Sequence, residues 1–109
     1  MHELAIAESL VEMVTERLPG STVTGVHLEI GALSGVVPDA IRFCFDLATD
    51  GTDLAGAELV ITEDPAHCMC HSCGFEFQPD SPIVLCACGS ADVAVLRGED
   101  LRILSVSVA

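Results

Sequence analysis

The sequence predicts an α+β fold: a small mixed α/β domain of two helices packed on a three-stranded sheet, interrupted by a cysteine-rich module. Three observations predict it. Apolar residues recur at helical spacing over residues 3–18 and again after Pro38. Strand-like runs stand at 24–30, at "AELVITED" and at the closing "LRILSVSVA". Five of the six cysteines fall between His67 and Leu96, among Gly, Pro and Ser.

Over residues 3–18, Leu4, Ala7, Val11, Val14 and Leu18 form an apolar stripe that Ile6, Leu10 and Met13 widen. Pro19-Gly20 ends the helix. Thr24, Val26, Leu28 and Ile30 alternate with Gly25, His27 and Glu29, which predicts a half-buried strand with a solvated His27 on its outer face. After the turn "GALSGVVPDA", Pro38 and Asp39 suit a helix's first turn. That helix is expected to reach about Ala48, with Ala40, Ile41, Cys44, Phe45 and Leu47 inside. "TDGTD" is a turn and Pro65 stops the second strand. In the closing strand, Leu104, Val106 and Val108 face one way and Leu101 and Ile103 the other, so its start is expected to be buried on both faces. It should pair back into one sheet with the earlier two. The expected division is an α/β domain of residues 1–65 and 97–109, with an inserted module of residues 66–96. "EDPAH" and "RGED" are the expected hinges between them.

With 109 residues, one small domain carrying a smaller module is the default. Half of the residues are apolar, but only four are aromatic, all Phe, so Val, Leu, Ile and Ala must build the core. The net charge of −13 repels phosphate backbones, and no basic or aromatic patch offsets it, which argues against nucleic acid. The first helix carries Glu3, Glu8, Glu12 and Glu16 rather than a basic leader. No apolar run approaches the roughly 20 residues of a membrane span. A soluble cytoplasmic protein without a membrane partner is therefore expected. No nucleophile–base pair, phosphate loop or catalytic carboxylate cluster is visible, so an enzyme is not expected.

In a reducing compartment, six cysteines point to metal or a reactive thiol rather than disulfides. The module reads "CMCHSCGFEFQPDSPIVLCACGS". Cys70-x2-Cys73 is followed by Gly74, and Cys86-x-Cys88 by Gly89. Two tight turns offering two thiolates each meet the tetrahedral demand of Zn²⁺. Glycine after the cysteines permits a positive φ. Metal binding would provide the folding energy that so short a piece cannot find in a core. Cys70, Cys73, Cys86 and Cys88 are the expected ligands of a zinc-ribbon-like site. The second turn departs from the usual C-x2-C, with Leu85 where its first cysteine would stand. Cys68 is the substitute for Cys86, and otherwise a spare thiol. His67 and His71 are further candidates. A redox thiol pair is disfavoured because no helix N-terminus follows the CxxC to lower a thiol pKa. Four thiolates leave no open coordination position, so this metal should not catalyse. Cys44 belongs to the core.

The chain opens "MHEL". The amine of Met1, the amide and imidazole nitrogens of His2 and the amide of Glu3 can close a planar set of four nitrogens. Such a plane suits Ni²⁺ or Cu²⁺ and suits Zn²⁺ poorly.

"MHEL", "VTGVHLEIGALSGV", "AIRFCFDLATDGT", "AHCMCHSCG", "CACGS" and "LRILSVSVA" occur in this order over nearly the full chain. The series resembles the HypA/HybF family of hydrogenase-maturation nickel metallochaperones. The resemblance implies transient Ni²⁺ as cargo at Met1, His2 and Glu3, and a structural Zn²⁺ on Cys70, Cys73 and Cys88. Cys86 is added by proximity, because the family's remaining cysteine belongs at Leu85. It further implies two partners: a nickel-handling GTPase of the HypB type and the NiFe-hydrogenase large-subunit precursor. Service to urease is a further possibility within the family. The competing reading is a zinc-ribbon adaptor for protein interactions that delivers no nickel.

Overall fold

The structure, a computed structural model, describes residues 2–109. In chain order its elements are α1 (Glu3–Arg17), β1 (Val23–Gly31), α2 (Pro38–Thr49), β2 (Glu58–Asp64), β3 (His67–Cys70), β4 (Glu76–Phe77), β5 (Val93–Arg97) and β6 (Leu101–Val108). They make two three-stranded sheets, ordered β2-β1-β6 and β4-β3-β5. The closing strand joins the first sheet, as expected. Because α2 crosses over between them, β1 and β2 run parallel, whereas β6 returns antiparallel to β1.

Both helices cover one face of the first sheet. Ala7, Leu10, Val11 and Val14 of α1 meet Ile41 and Phe45 of α2 over Val26, Leu28 and Ile30 of β1. Fully burying each of the larger side chains contributes about 1.5–3 kcal/mol. Glu3 in the first turn of α1 and Arg17 in its last complement the helix dipole.

The apolar stripes are narrower than the sequence suggests. Leu4 and Met13 are about half exposed, because they flank the buried stripe of α1 rather than lie in it. On α2, Leu47 is exposed and Thr49 is buried instead, since the turn that carries Leu47 points away from β1.

Two register slips between β1 and β6 correct the strand expectations. The ladder runs Val23↔Val108 and then Gly25↔Ser107, which leaves Thr24 as an extra residue on β1. Thr24 is consequently exposed and Val23 takes the buried position. Further along, His27↔Ser105 is followed by Leu28↔Ile103, which leaves Leu104 extra on β6. The bulge puts Leu101, Ile103 and Val106 on the core side together. Leu104 and Val108 are about half exposed, so β6 is not buried on both faces. The open face carries His27, Glu29, Thr62 and Ser105, and His27 Nε2 lies 3.2 Å from Thr62 Oγ1.

The two sheets lie end to end in a molecule of 53 × 20 × 18 Å. The segments expected to hinge are cross-tied. Amides of Gly31, Ala32 and Leu33 donate to the carbonyls of Asp100, Asp64 and Gly98 at 2.8–2.9 Å. A Cβ on Gly31 would collide with the Gly98 carbonyl, and Gly98 itself sits at φ 97° against Ala66. Arg97, the last residue of β5, donates from Nη2 and Nε to Asp64 Oδ1 at 2.5 and 3.1 Å. Arg102 makes the matching contact with Glu29 Oε1 at 2.5 and 3.2 Å. Nothing in the sequence signalled either pair.

Candidate metal centre

Two short backbone turns build the centre. In the first, the Gly74 amide donates to the Cys70 carbonyl at 2.8 Å, closing a five-residue turn that includes Cys73. In the second, the Gly89 amide donates to the Cys86 carbonyl at 2.8 Å, closing a four-residue turn. Gly74 and Gly89 have φ of 76° and 91°, which side chains with a Cβ rarely adopt. The shorter second loop matches its shorter spacing: with one residue fewer between its cysteines, it still turns both sulfurs inward. Leu85, at the place of the missing cysteine, points to solvent. Ser72 and Ser90 hydroxyls, 2.9 Å apart, pin the two turns together, a link that the sequence did not signal.

The four sulfurs of Cys70, Cys73, Cys86 and Cys88 all lie within 4.8 Å of one another. Cys70 and Cys88 Sγ are 3.7 Å apart, and Cys73 and Cys86 Sγ are 3.6 Å apart. A tetrahedron with zinc–sulfur bonds of about 2.3 Å has edges of about 3.8 Å, so the donor set fits Zn²⁺ in size and softness. Cys70 and Cys86 are buried, whereas Cys73 and Cys88 are exposed. Burial pushes the Cys70 thiol up, but the Cys73 and Ser72 amides and the neighbouring thiols outweigh it and bring the pKa down to about 6. The Cys88 amide draws the Cys86 thiol down, while burial and the Cys73 and Cys70 thiols carry it above the ordinary value. Cys88 also ends above it: the Ser90 amide pulls it down, and the Cys86 and Cys70 thiols push it up more.

Cys68 is not in this group. It is fully buried in β3, paired with Phe77 and Val95, and burial raises its pKa. Both histidine candidates are engaged elsewhere: His67 Nε2 with Glu76 Oε1 and His71 Nδ1 with Asp92 Oδ1, each at 2.9 Å. Cys44 packs partly buried against the core.

His2 is exposed and caps α1 by backbone alone, beside Leu101 and Arg102 at the start of β6. Its carbonyl accepts from the Ile6 amide at 3.1 Å, and its imidazole makes no capping hydrogen bond. Glu3 begins the helix and is partly buried. Met1, the remaining expected nickel ligand, lies outside the described residues.

Fold and centre together define a class: a two-sheet α+β protein with a four-thiol metal-binding group in its second sheet unit and, among the described residues, no helix long and apolar enough to cross a membrane. The chain belongs to the HypA family, whose model, described as "Hydrogenase/urease nickel incorporation, metallochaperone, hypA", matches residues 1–108. That is a family of metallochaperones, not of catalysts. The chain is 46% identical over 108 residues to the hydrogenase maturation factor HypA of Nostoc punctiforme, covering 99% of this chain and 96% of that one. It is 48% identical over 109 residues to HypA of Geotalea uraniireducens, covering 99% of both. The solution structure of the Ni metallochaperone HypA from Helicobacter pylori shares the fold, with a TM-score of 0.67 at 22% identity over 99% of this chain and 97% of that one.

Proposed function

We propose that this chain carries one Ni²⁺ at its N-terminus and delivers it in the cytoplasm for assembly of the NiFe-hydrogenase active site. The cargo ligands are the free amine of Met1, the amide and imidazole of His2 and the amide of Glu3. Four nitrogens in a plane suit Ni²⁺ and expel protons on binding. Cys70, Cys73, Cys86 and Cys88 hold a structural Zn²⁺. Zinc bound there supplies folding energy to residues 66–96, the inserted unit, and leaves no position open for chemistry. Residues 1–65 and 97–109 form the nickel-binding domain.

The observation that carries this reading is the contrast between two donor sets in a chain of this family. Four sulfurs face one another in a closed group, while His2 stands exposed with its imidazole uncommitted to capping. A closed group retains its ion. An open terminal set can surrender its ion to a partner that offers cysteine thiolates, by ligand exchange. The partners in this reading are a nickel-handling GTPase of the HypB type and the hydrogenase large-subunit precursor.

The test compares nickel titrations of the protein with a free amino terminus, of His2→Ala and of a version extended before Met1. One square-planar site, seen by its visible absorption, is expected in the first and is lost in the other two. Equal uptake by all three contradicts the proposal.

A further inference from the structure

We infer that the outward face of α2 is a docking site for an amphipathic helix of a partner protein, one that carries a stripe of Leu-like residues with Lys or Arg along its flank. Asp39, Phe43 and Leu47 follow one another at helical spacing, and Asp46 and Asp50 follow Phe43 by three and seven residues, so all five share one side of the helix. That side lies opposite Ile41 and Phe45, which are buried in the core. All five are exposed. Phe43 is 67% exposed and Leu47 54%, more than any large apolar residue of α1.

Charge identifies the occupant. Asp39, Asp46 and Asp50 are the charged residues of this face, and none of them forms an ion pair among the described residues. Arg42, the single cation of α2, leans toward β2 instead, where its Nη1 donates to the Leu59 carbonyl at 2.6 Å. The chain's other cations, Arg17, Arg97 and Arg102, belong to α1, β5 and β6. Asp46 in the last turn of α2 and Asp50 at its C-cap stand at the negative end of the helix dipole, and no basic residue is in that turn. These carboxylates oppose the dipole, and a partner's Lys or Arg would relieve both. A second copy would set the same three carboxylates against these three, whereas a basic apolar helix complements the apolar pair and its acidic flank together.

The shape of the face suits a helix. From Asp39 to Asp50 it runs about 17 Å at about 1.5 Å per residue. Phe43 and Leu47 belong to the i, i+4 row that packs into the groove of a second helix. Ile41 and Phe45 hold the other side of α2 on β1, so the face is presented by a fixed element. None of its residues is a candidate ligand of nickel or zinc, so the inference stands apart from both metals.

The test uses the full chain and three fluorescent helical peptides of about 14 residues. The first has Leu at helical spacing with Lys along its flank, the second has Glu in place of Lys, and the third has Ser in place of Leu. The first is expected to bind, to weaken with salt and to slow hydrogen exchange along α2. The other two should bind at least about tenfold more weakly. Phe43→Ser, and Asp46→Lys combined with Asp50→Lys, should weaken the first peptide by a similar factor. Glu58→Lys should not, because Glu58 is exposed beside His27 on the sheet face away from the helices. An unchanged circular dichroism spectrum keeps these surface variants interpretable. The inference fails if the first peptide does not bind, if the Glu or Ser peptide binds equally well, or if Glu58→Lys weakens binding as much as the α2 variants do. It also fails if the protein alone dimerises through α2.

Discussion

Single residues decide which thiols serve the metal. Cys68 and Cys70 are two apart on one strand, yet Cys68 is locked between Phe77 and Val95 while Cys70 opens the first turn. Cys73→Ala should therefore lose bound zinc on dialysis, whereas Cys68→Ala should keep it and lose only about 1 kcal/mol from the module's packing. Zinc quantification beside urea unfolding of both variants checks this. Acid sensitivity follows from the pKa directions. With Cys70 at about 6, that thiol is already ionised at neutral pH and releases no proton when zinc binds. Cys86 and Cys88 lie above the ordinary thiol value and each release one. Below pH 6 Cys70 adds its own, so zinc affinity should fall more steeply with acidity there than at pH 7–8. Calorimetric titrations in buffers of different ionisation enthalpy measure the protons released. A release that does not grow below pH 6 contradicts the lowered pKa of Cys70.

At the scale of elements, the tie between the sheets rests on two glycines that have no room for a side chain. Gly31→Ala would drive its Cβ into the Gly98 backbone and should cost about 2–3 kcal/mol, as overpacking does. Gly51→Ala has the opposite problem, a positive φ of 74° in open space where Gly31 has a clash without a positive φ, so about 1 kcal/mol is expected. Urea midpoints of the two variants separate a steric tie from ordinary turn strain. The elements themselves were legible in the sequence, because periodicity and Pro or Gly stops report local physics. α1 was expected over 3–18 and runs Glu3–Arg17, and the four clustered cysteines were legible from their spacing and following glycines. The face of β1 was legible at Val26, Leu28 and Ile30, which are buried as expected. An alternating pattern gives no sign of an inserted residue, so the bulges at Thr24 and Leu104 displaced Thr24 from the buried side and moved Val106 to the side of Leu101 and Ile103. The Arg97–Asp64 and Arg102–Glu29 pairs were equally hidden, since they join residues 33 and 73 positions apart.

Across the whole molecule, apolar burial is unevenly shared. Among residues 66–96 only Ala66, Cys68, Cys70 and Cys86 are buried, whereas the two helices and the first sheet share one continuous core. The unit with the thin core is the one with the clustered sulfurs, and the unit with the thick core carries the exposed His2 at its edge. This division underlies the central claim: sulfur keeps one ion for good, and terminal nitrogens lend the other. It is tested most directly by loading the protein with one zinc and one nickel, adding an excess of a peptide with a CxxC pair, and counting both metals left on the chain. The account predicts that nickel moves to the peptide while zinc stays. Nickel retained on the chain, or zinc leaving with it, contradicts it.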